Sequence, residues 1–218
     1  MFRKLLSEFL GTFGLVFTGC GAIVVNQISG GAIGHFGICA IFGLIVLAMV
    51  YALGDVSGAH INPAVTIAFW ISERLPLKEV GPYIFAQCLG SVAASGLLLY
   101  LFPQDASSLG STTVSDGVAQ AFIMELVITF LLMLIIIMVA TGSKEIGTLA
   151  GIAIGAAVTV LALLAGPITG ASMNPARSLG PALVSGHLTD LWVYLVAPVA
   201  GAALAVPVSK LLKGSQNA

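Results

Sequence analysis

The stretch GASMNPARS, residues 170–178, is a polar island near the end of a very apolar chain, and it nearly repeats GAHINPAVT, residues 58–66. Both copies carry an Asn-Pro-Ala tripeptide: Asn62, Pro63 and Ala64 in the first, and Asn174, Pro175 and Ala176 in the second. Asparagine is a favoured helix N-cap and proline suits the first helical position. Each copy therefore predicts a helix start, and the copies differ in that Arg177 follows the second tripeptide and Val65 the first.

The composition of the chain is that of a membrane protein. Of its 218 residues, 58% are hydrophobic and only 8% are charged, which leaves too few polar side chains to cover a soluble surface. The net charge is −1 and no basic run stands out, so nothing in the composition indicates a nucleic-acid partner. Three cysteines without CxxC or paired histidine spacing indicate neither a disulfide framework nor a metal site.

Six stretches are apolar enough to cross a bilayer, which takes about 20 residues each. They cover residues 5–25, 35–53, 82–102, 120–141, 148–165 and 191–212. The first stretch could be taken for a cleaved secretory signal, but Glu8 interrupts its apolar run. The pattern Glu-x-x-x-Thr-Phe at residues 8–13 also recurs at residues 125–130, so we expect a mature span.

Basic residues fix the predicted orientation of these spans. If all six spans cross, seven basic residues fall on one side: Arg3, Lys4, Arg74, Lys78, Lys144, Lys210 and Lys213. The positive-inside rule makes that side the cytoplasm, so both termini are expected there, in a protein of the cell membrane. Arg177 is the exception and belongs to the second Asn-Pro-Ala stretch.

The chain also repeats internally. Asn62 and Asn174 are 112 residues apart, and Gly90 and Gly201 are 111 apart. Each half then holds three spans, and an odd number makes the second half start from the opposite membrane face. We therefore expect one domain, residues 1–218, in which repeat halves of about 1–102 and 119–218 are inverted and joined by a loop at about 103–118.

Residues 62–71 and 174–184 are each about half a bilayer long, since ten helical residues rise about 15 Å. Entering from opposite faces, the two half-helices would meet near the midplane. The fold predicted is an all-α membrane protein with six transmembrane helices and two re-entrant half-helices. Capping uses the carbonyl oxygen of the asparagine side chain, which leaves the side-chain NH2 groups of Asn62 and Asn174 free to donate. We expect both groups to donate into a pore.

The lead-ins to the half-helices, residues 55–60 and 166–172, are expected to be non-helical. Bare backbone within a membrane is tolerated only where it is buried in protein or faces water. Carbonyl groups of six residues are the predicted pore-lining acceptors: Gly58, Ala59, His60, Gly170, Ala171 and Ser172. Glu8 and Glu125, at equivalent positions in the two halves, are the expected acceptors for the inward amides, and a proton relay is the alternative role.

With six spans, two Asn-Pro-Ala boxes, an arginine directly after the second box and a glutamate in spans one and four, the whole chain resembles the aquaporin family. The resemblance implies an hourglass pore in each subunit, a homotetramer in the lipid bilayer and no cofactor. Four residues near the outer mouth set the constriction in that family, and motif matching places them at Phe42, Ala162, Ala171 and Arg177. His60 matches a position that lines the inner vestibule.

Three residues that depart from the family pattern affect which solutes the channel is expected to conduct. Strictly water-selective members typically carry a histidine where Ala162 stands, and glycerol-type members usually have an aromatic in place of Ala171 and an acid in place of Ser178. The flanks of both boxes are most similar to the nodulin-like plant branch and its bacterial relatives. The resemblance thus implies a passive channel for water and small uncharged solutes such as glycerol, urea, boric acid or arsenous acid, which excludes ions and protons.

Two alternatives stand beside this interpretation. One is a strictly water-selective aquaporin. The other is a secondary transporter, since inverted repeats and broken helices also build transporters, although the chain has no spare intramembrane carboxylate for a coupling ion. An enzyme is not indicated, because no nucleophile and base stand at a plausible spacing.

Overall fold

The computed structural model describes residues 1–103, 108–115, 117–143 and 147–214. This part of the chain forms eight helices: α1 (Phe2–Ile28), α2 (Gly34–Ser57), α3 (Pro63–Ile71), α4 (Leu77–Leu101), α5 (Val118–Ala140), α6 (Ala150–Thr169), α7 (Pro175–Ser185) and α8 (Leu191–Lys213). Lys144, one of the predicted cytoplasmic lysines, lies outside the described residues, as do parts of the predicted loop at 103–118.

Six of these helices, all except α3 and α7, are long and apolar enough to cross a membrane. The predicted fold class of six spans and two half-helices is therefore confirmed. The span boundaries differ by up to five residues, most clearly at α4, which begins at Leu77 instead of Pro82. Pro76 precedes this helix and Glu79 lies in its first turn, where a carboxylate suits the positive end of the helix dipole.

The lead-ins to the half-helices are shorter than predicted. Helix α2 continues through Ser57, and α6 continues through Thr169 even though Pro167 lies inside it. Each helix ends on a glycine in the left-handed region, Gly58 with φ 87° and Gly170 with φ 75°. Glycine adopts this conformation without a Cβ penalty, and it is the usual way to end a helix. Between α2 and α3 and between α6 and α7, the non-helical backbone is therefore limited to residues 58–62 and 170–174.

The long helices pack in the same pattern in the two halves, and each half-helix packs mainly on a helix of the other half. Helix α1 packs on α2 and α4, as α5 packs on α6 and α8, while α2 and α6 contact each other. The half-helices cross over, α3 packing mainly on α8 and α7 mainly on α4. As a result, the N-termini of α3 and α7 are brought to the same place in the interior.

Close approach of the long helices depends on two equivalent glycines. A Cβ added at Gly90 of α4 would lie 2.3 Å from the Phe9 carbonyl oxygen of α1, and one at Gly201 of α8 would lie 2.2 Å from that of Leu126 in α5. Small residues at such contacts let backbones meet in a membrane, where van der Waals packing stabilises helix association.

Replacing Gly90 by alanine is expected to lower the free energy of unfolding by about 1–3 kcal/mol, because the added methyl group collides with backbone that cannot easily yield. Gly96 of the same helix is the matched control, since a Cβ there meets nothing within 4 Å. Gly96→Ala should be neutral or stabilise by up to about 1 kcal/mol, the difference in helix propensity. Unfolding in mixed micelles with dodecyl sulfate measures both variants, and equal stabilities would contradict the close contact.

Candidate functional site

The two half-helices begin as the Asn-Pro signals predict. Asn62 is the N-cap of α3, where its Oδ1 accepts from the Ala64 amide at 2.9 Å. Asn174 is the N-cap of α7, where its Oδ1 accepts from the Ala176 and Arg177 amides at 3.0 and 3.3 Å. Both asparagines have extended backbone and prolines follow them at the first helical position. The two positive helix ends therefore face each other in the interior.

The side-chain NH2 groups of these asparagines are not entirely free, which corrects part of the expectation. Asn62 Nδ2 donates to the Met173 carbonyl at 2.7 Å, and Asn174 Nδ2 donates to the Ile61 carbonyl at 2.8 Å. The opposed chain segments place each carbonyl within reach of the other half's asparagine. Each NH2 has two hydrogens, so one hydrogen ties the halves together and the second remains for another acceptor.

The backbone before each half-helix is held in an unusual conformation. Four non-glycine residues have positive φ in matching pairs: Ala59 (46°) with Ala171 (45°), and Ile61 (43°) with Met173 (54°). Such conformations cost of order 1–3 kcal/mol each and persist only where the surroundings fix them. For β-branched Ile61 the penalty is greatest. Carboxylates on the long helices supply the fixing interactions.

Glu8 of α1 holds the first segment. Its Oε1 accepts from the His60 amide at 2.9 Å and from Ser57 Oγ at 2.7 Å. Its Oε2 accepts from the Ile61 amide and from Gln87 Nε2, both at 2.7 Å. With the amides turned toward this fully buried carboxylate, the carbonyls of the segment are left to face the opposite side.

Glu125 of α5 holds the second segment in the same way. Its Oε1 accepts from the Ser172 amide at 2.8 Å and from Thr169 Oγ1 at 2.7 Å, and its Oε2 accepts from the Met173 amide at 2.9 Å. The hydroxyl of Tyr194 donates to the Thr169 carbonyl at 2.9 Å. These contacts are the ones that a support role for the two glutamates requires.

Several supporting residues were missed in the sequence. Ser57 and Thr169 are 112 residues apart, and Tyr83 and Tyr194, whose hydroxyls donate to their carbonyls, are 111 apart. The repeat interval could have identified both pairs. Gln87 could not have been found in this way, because Pro198 occupies the equivalent position in the second half.

A cavity of about 140 Å³ runs along the two non-helical segments. One wall consists of residues 58–62 and 171–174, which offer backbone and amide groups. The rest of the lining is mostly apolar and includes Leu15, Val46, Leu132, Ile136 and Val158. Among the described residues that line this cavity, Arg177 carries the one permanent charge. Backbone and amide groups of the two segments therefore supply most of the hydrogen-bond partners that this cavity offers a small neutral molecule.

Arg177 is buried at 2% exposure and has no carboxylate partner among the described residues, where the one ion pair joins Lys4 and Glu79. Its Nη1 donates to the Gly110 carbonyl at 2.7 Å, and its guanidinium carbon lies 5.0 Å from the centre of the Phe42 ring. The ring face attracts the cation. Nε is buried and has no hydrogen-bond partner among the described residues, which leaves one donor of the guanidinium unused.

The four residues predicted for the constriction, Phe42, Ala162, Ala171 and Arg177, all line this cavity. Gly19 of α1 makes room for the Phe42 ring, because a Cβ at Gly19 would lie 2.2 Å from a ring carbon. Asn62, Asn174, Gly58, Ala59, His60 and Ser172 also line the cavity. Pro63, Ala64, Pro175 and Ala176 are buried as helix starts, and the structure places Gly170 against Thr112, outside the lining.

His60 lies on the cavity wall in a defined orientation. Its ring stacks on Phe69 with centroids 4.7 Å apart, and its Nδ1 lies 3.2 Å from Thr66 Oγ1. Thr66 uses its only proton to donate to the Asn62 carbonyl at 3.0 Å, so Nδ1 must be the donor to Thr66. The neutral ring then keeps Nε2 as an acceptor.

Six spans, two opposed half-helices and a narrow cavity between their N-termini define a membrane channel. The sequence profile of the Major intrinsic protein family matches residues 1–208, and the chain belongs to this family. The predictions of a channel and of a protein that is not an enzyme are confirmed by this membership.

Relatives show where in the family the chain stands. The putative aquaporin NIP4-1 of Arabidopsis thaliana is 50% identical over 199 residues, 91% of this chain and 70% of that protein. Aquaporin NIP1-2 of Oryza sativa subsp. japonica is 50% identical over 203 residues, 90% of this chain and 67% of that protein. The aquaglyceroporin of Plasmodium falciparum has a solved structure with a TM-score of 0.85 and 27% identity, covering 97% of this chain and 96% of that one. The predicted likeness to the nodulin-like (NIP) plant branch is confirmed.

Proposed function

We propose that this protein is a passive channel that conducts water and small uncharged solutes through the cavity between its half-helices. The observation that carries the proposal is that one cavity is lined by both capping asparagines and by Phe42, Ala162 and Arg177. A passing oxygen would accept from the remaining amide hydrogens of Asn62 and Asn174, while the backbone carbonyls accept from its hydrogens. Movement of a molecule through this cavity requires no domain motion.

Electrostatics exclude cations from this path. Two helix N-termini, each equivalent to about half a positive charge, point at the middle of the cavity. Arg177 adds a full positive charge to the lining. Neutral molecules escape the resulting barrier, and binding each passing water to an asparagine interrupts the chain of water-to-water bonds along which a proton would move.

The solute range follows from the small residues at the constriction. Ala162 and Ala171 leave space beside the Phe42 ring and the Arg177 guanidinium that larger side chains would fill. Glycerol, urea, boric acid and arsenous acid fit this description as small uncharged polar molecules. The names of the relatives, aquaporins in plants and an aquaglyceroporin in Plasmodium falciparum, support passage of water together with a small polyol.

Ala162→His is expected to narrow the constriction and lower glycerol permeability about tenfold relative to water, equivalent to about 1.4 kcal/mol of added barrier. Stopped-flow light scattering of proteoliposomes measures both rates. Ala156→His is the matched control, since Ala156 lies on the same helix and is exposed on its outer face. Unchanged glycerol-to-water ratios in Ala162→His would show that residue 162 does not border the path.

The rival secondary transporter predicts different kinetics. Alternating access gives solute flux that saturates at low concentration and depends on an ion gradient. A channel gives flux proportional to solute concentration and indifferent to sodium or proton gradients. Proteoliposome flux at increasing glycerol concentrations, with and without these gradients, separates the two, and saturation together with gradient dependence would overturn the channel proposal.

We propose further that residues 1–218 form one channel domain of two inverted halves, about 1–102 and 119–218, joined by a loop at about 103–118. The spread of basic residues supports an orientation with both termini in the cytoplasm, in the cell membrane. The homotetramer implied by the family is also a proposal. Exposed apolar side chains on α2, such as Phe36 and Leu44, are compatible with either lipid or a second subunit as their neighbour.

A further inference from the structure

The segment 108–115, which precedes α5, is held in place by contacts with α1, α4 and α6 and with the second half-helix, α7. Leu109 is fully buried and packs with Val16, Cys20, Ala94 and Leu98. The next residue, Gly110, has a positive φ of 70° and presents its carbonyl to Arg177 Nη1. The Ser115 amide donates to the Ile168 carbonyl at 3.3 Å. This loop therefore contributes directly to the surroundings of the Arg177 guanidinium.

A chain of three hydroxyl groups connects the same loop to the cavity wall. Thr112 Oγ1 donates to Ser178 Oγ at 2.8 Å, Ser178 Oγ lies 2.6 Å from Ser172 Oγ, and Ser172 Oγ donates to the Asn174 carbonyl at 2.9 Å. A hydroxyl has one proton to give. Because Ser172 gives its proton to Asn174, Ser178 must donate to Ser172, and the chain runs in one direction from Thr112 to Asn174.

All four members of this chain are shielded from solvent. Ser178 is fully buried, and Thr112, Ser172 and Asn174 are exposed by 4–6%. Ser172 and Asn174 line the cavity, whereas Thr112 and Ser178 do not. Ser178 therefore links Thr112 of the loop to the polar wall, and it directly follows Arg177, through which Gly110 makes the other link.

The first half contains the same pair of positions with different partners. His60 and Thr66 are equivalent to Ser172 and Ser178, each pair being 112 residues apart. Thr66, however, accepts from Gln87 Nε2 of helix α4 at 2.9 Å, so the first pair is linked to a transmembrane helix. The second pair is linked to a loop instead. The segment beside Arg177 is thus linked to a loop, whereas the equivalent segment of the first half is linked to helix α4.

Resting on the proposed function, we infer that Ser178 and Thr112 are specificity-determining positioning residues. Their hydroxyls fix segment 108–115 against the wall of the constriction and so hold the Gly110 carbonyl where it orients Arg177. Without the chain, the guanidinium moves more freely and the constriction opens more often to molecules larger than water. Water passes in either case, so the ratio of solute to water permeability changes while water permeability stays nearly constant.

Proteoliposomes of the full chain test this inference with paired variants. Ser178→Ala and Thr112→Val each break the chain, whereas Thr112→Ser keeps the donor hydroxyl. Ser111→Ala is the loop control, because the hydrogen-bond partners of Ser111 Oγ among the described residues, Ser108 and Ser185, belong neither to the hydroxyl chain nor to the cavity lining. We expect the glycerol-to-water permeability ratio to rise about three- to tenfold in Ser178→Ala and Thr112→Val, the effect of one lost hydrogen bond, and to stay at the wild-type value in the other two.

A merely structural role would lower the number of working channels, and the water and glycerol permeabilities would then fall together with an unchanged ratio. That result in both Ser178→Ala and Thr112→Val overturns the inference. Arg177→Ala is measured alongside them to separate this failure from failure of the proposed function. If Arg177→Ala raises the glycerol-to-water permeability ratio and the hydroxyl variants do not, the hydroxyl chain has no part in selectivity, although the proposed constriction is correct. If Arg177→Ala leaves this ratio unchanged, both the proposed constriction and the inference are wrong.

Discussion

Glu8→Gln is expected to lower the free energy of unfolding by about 3 kcal/mol or more, since two charge-assisted hydrogen bonds in a buried site are lost. Each oxygen of Glu8 accepts from two donors, so a glutamine NH2 faces two N–H or O–H groups whichever way it is turned. Either the His60 amide or the Ile61 amide is then left without an acceptor, in a segment where Ala59 and Ile61 hold positive φ. Unfolding in mixed micelles with dodecyl sulfate measures the loss.

Glu125→Gln should be the milder variant, at about 2 kcal/mol, because its Oε2 accepts from the Met173 amide alone and the glutamine NH2 can take that side. Glu73→Gln is the matched control, since Glu73 is exposed, and its stability should stay within about 0.5 kcal/mol of wild type. Equal stabilities of all three variants would contradict the support role. Loss of solute flux from a stable Glu8→Gln channel would instead favour the proton relay.

Arg177→Ala is expected to raise the glycerol-to-water permeability ratio about tenfold, the change that about 1.4 kcal/mol of lost barrier produces. The substitution removes the guanidinium that faces the Phe42 ring, and with it the bond to the Gly110 carbonyl. Because Arg177 is the one permanent charge on the described lining, the variant should also admit monovalent cations more readily. Stopped-flow light scattering gives the ratio, and sodium flux gives the leak.

Arg177→Lys is the control variant that keeps the positive charge at residue 177 but not the planar shape of the guanidinium. Lysine keeps the positive charge but has no planar fork to bridge the loop carbonyl and the cavity. Cation exclusion should therefore be retained while the glycerol-to-water ratio takes an intermediate value. If lysine and alanine gave the same cation leak, charge at residue 177 would not be what excludes cations.

The fold could be predicted from the sequence because its determinants recur in the sequence. Two Asn-Pro signals define the half-helix starts, and an odd number of spans in each half forces the inversion. Helix lengths were less predictable, since hydropathy does not register where a glycine ends a helix. Gly58 and Gly170 do so through left-handed backbone, which keeps α2 and α6 helical up to Ser57 and Thr169.

The candidate site was predictable to the extent that it lies on the repeated elements. The positions of Asn62, Asn174 and the two glutamates follow from the repeat. Partners contributed by unrepeated segments could not be found, because nothing in the sequence shows that Gly110 approaches Arg177 across 67 residues. The cross-connection of Asn62 to the Met173 carbonyl likewise depends on how closely the two halves meet.

Stopped-flow light scattering of wild-type proteoliposomes exposed to sorbitol, glycerol, urea or boric acid shows directly which molecules the protein conducts. A passive channel with a wide constriction predicts fast shrinkage in sorbitol, re-swelling in the three permeant solutes, and rates proportional to solute concentration without any ion gradient. Fast shrinkage without re-swelling would contradict the predicted solute range and favour a strictly water-selective pore. Rates equal to those of empty liposomes for water and every solute would contradict the channel itself.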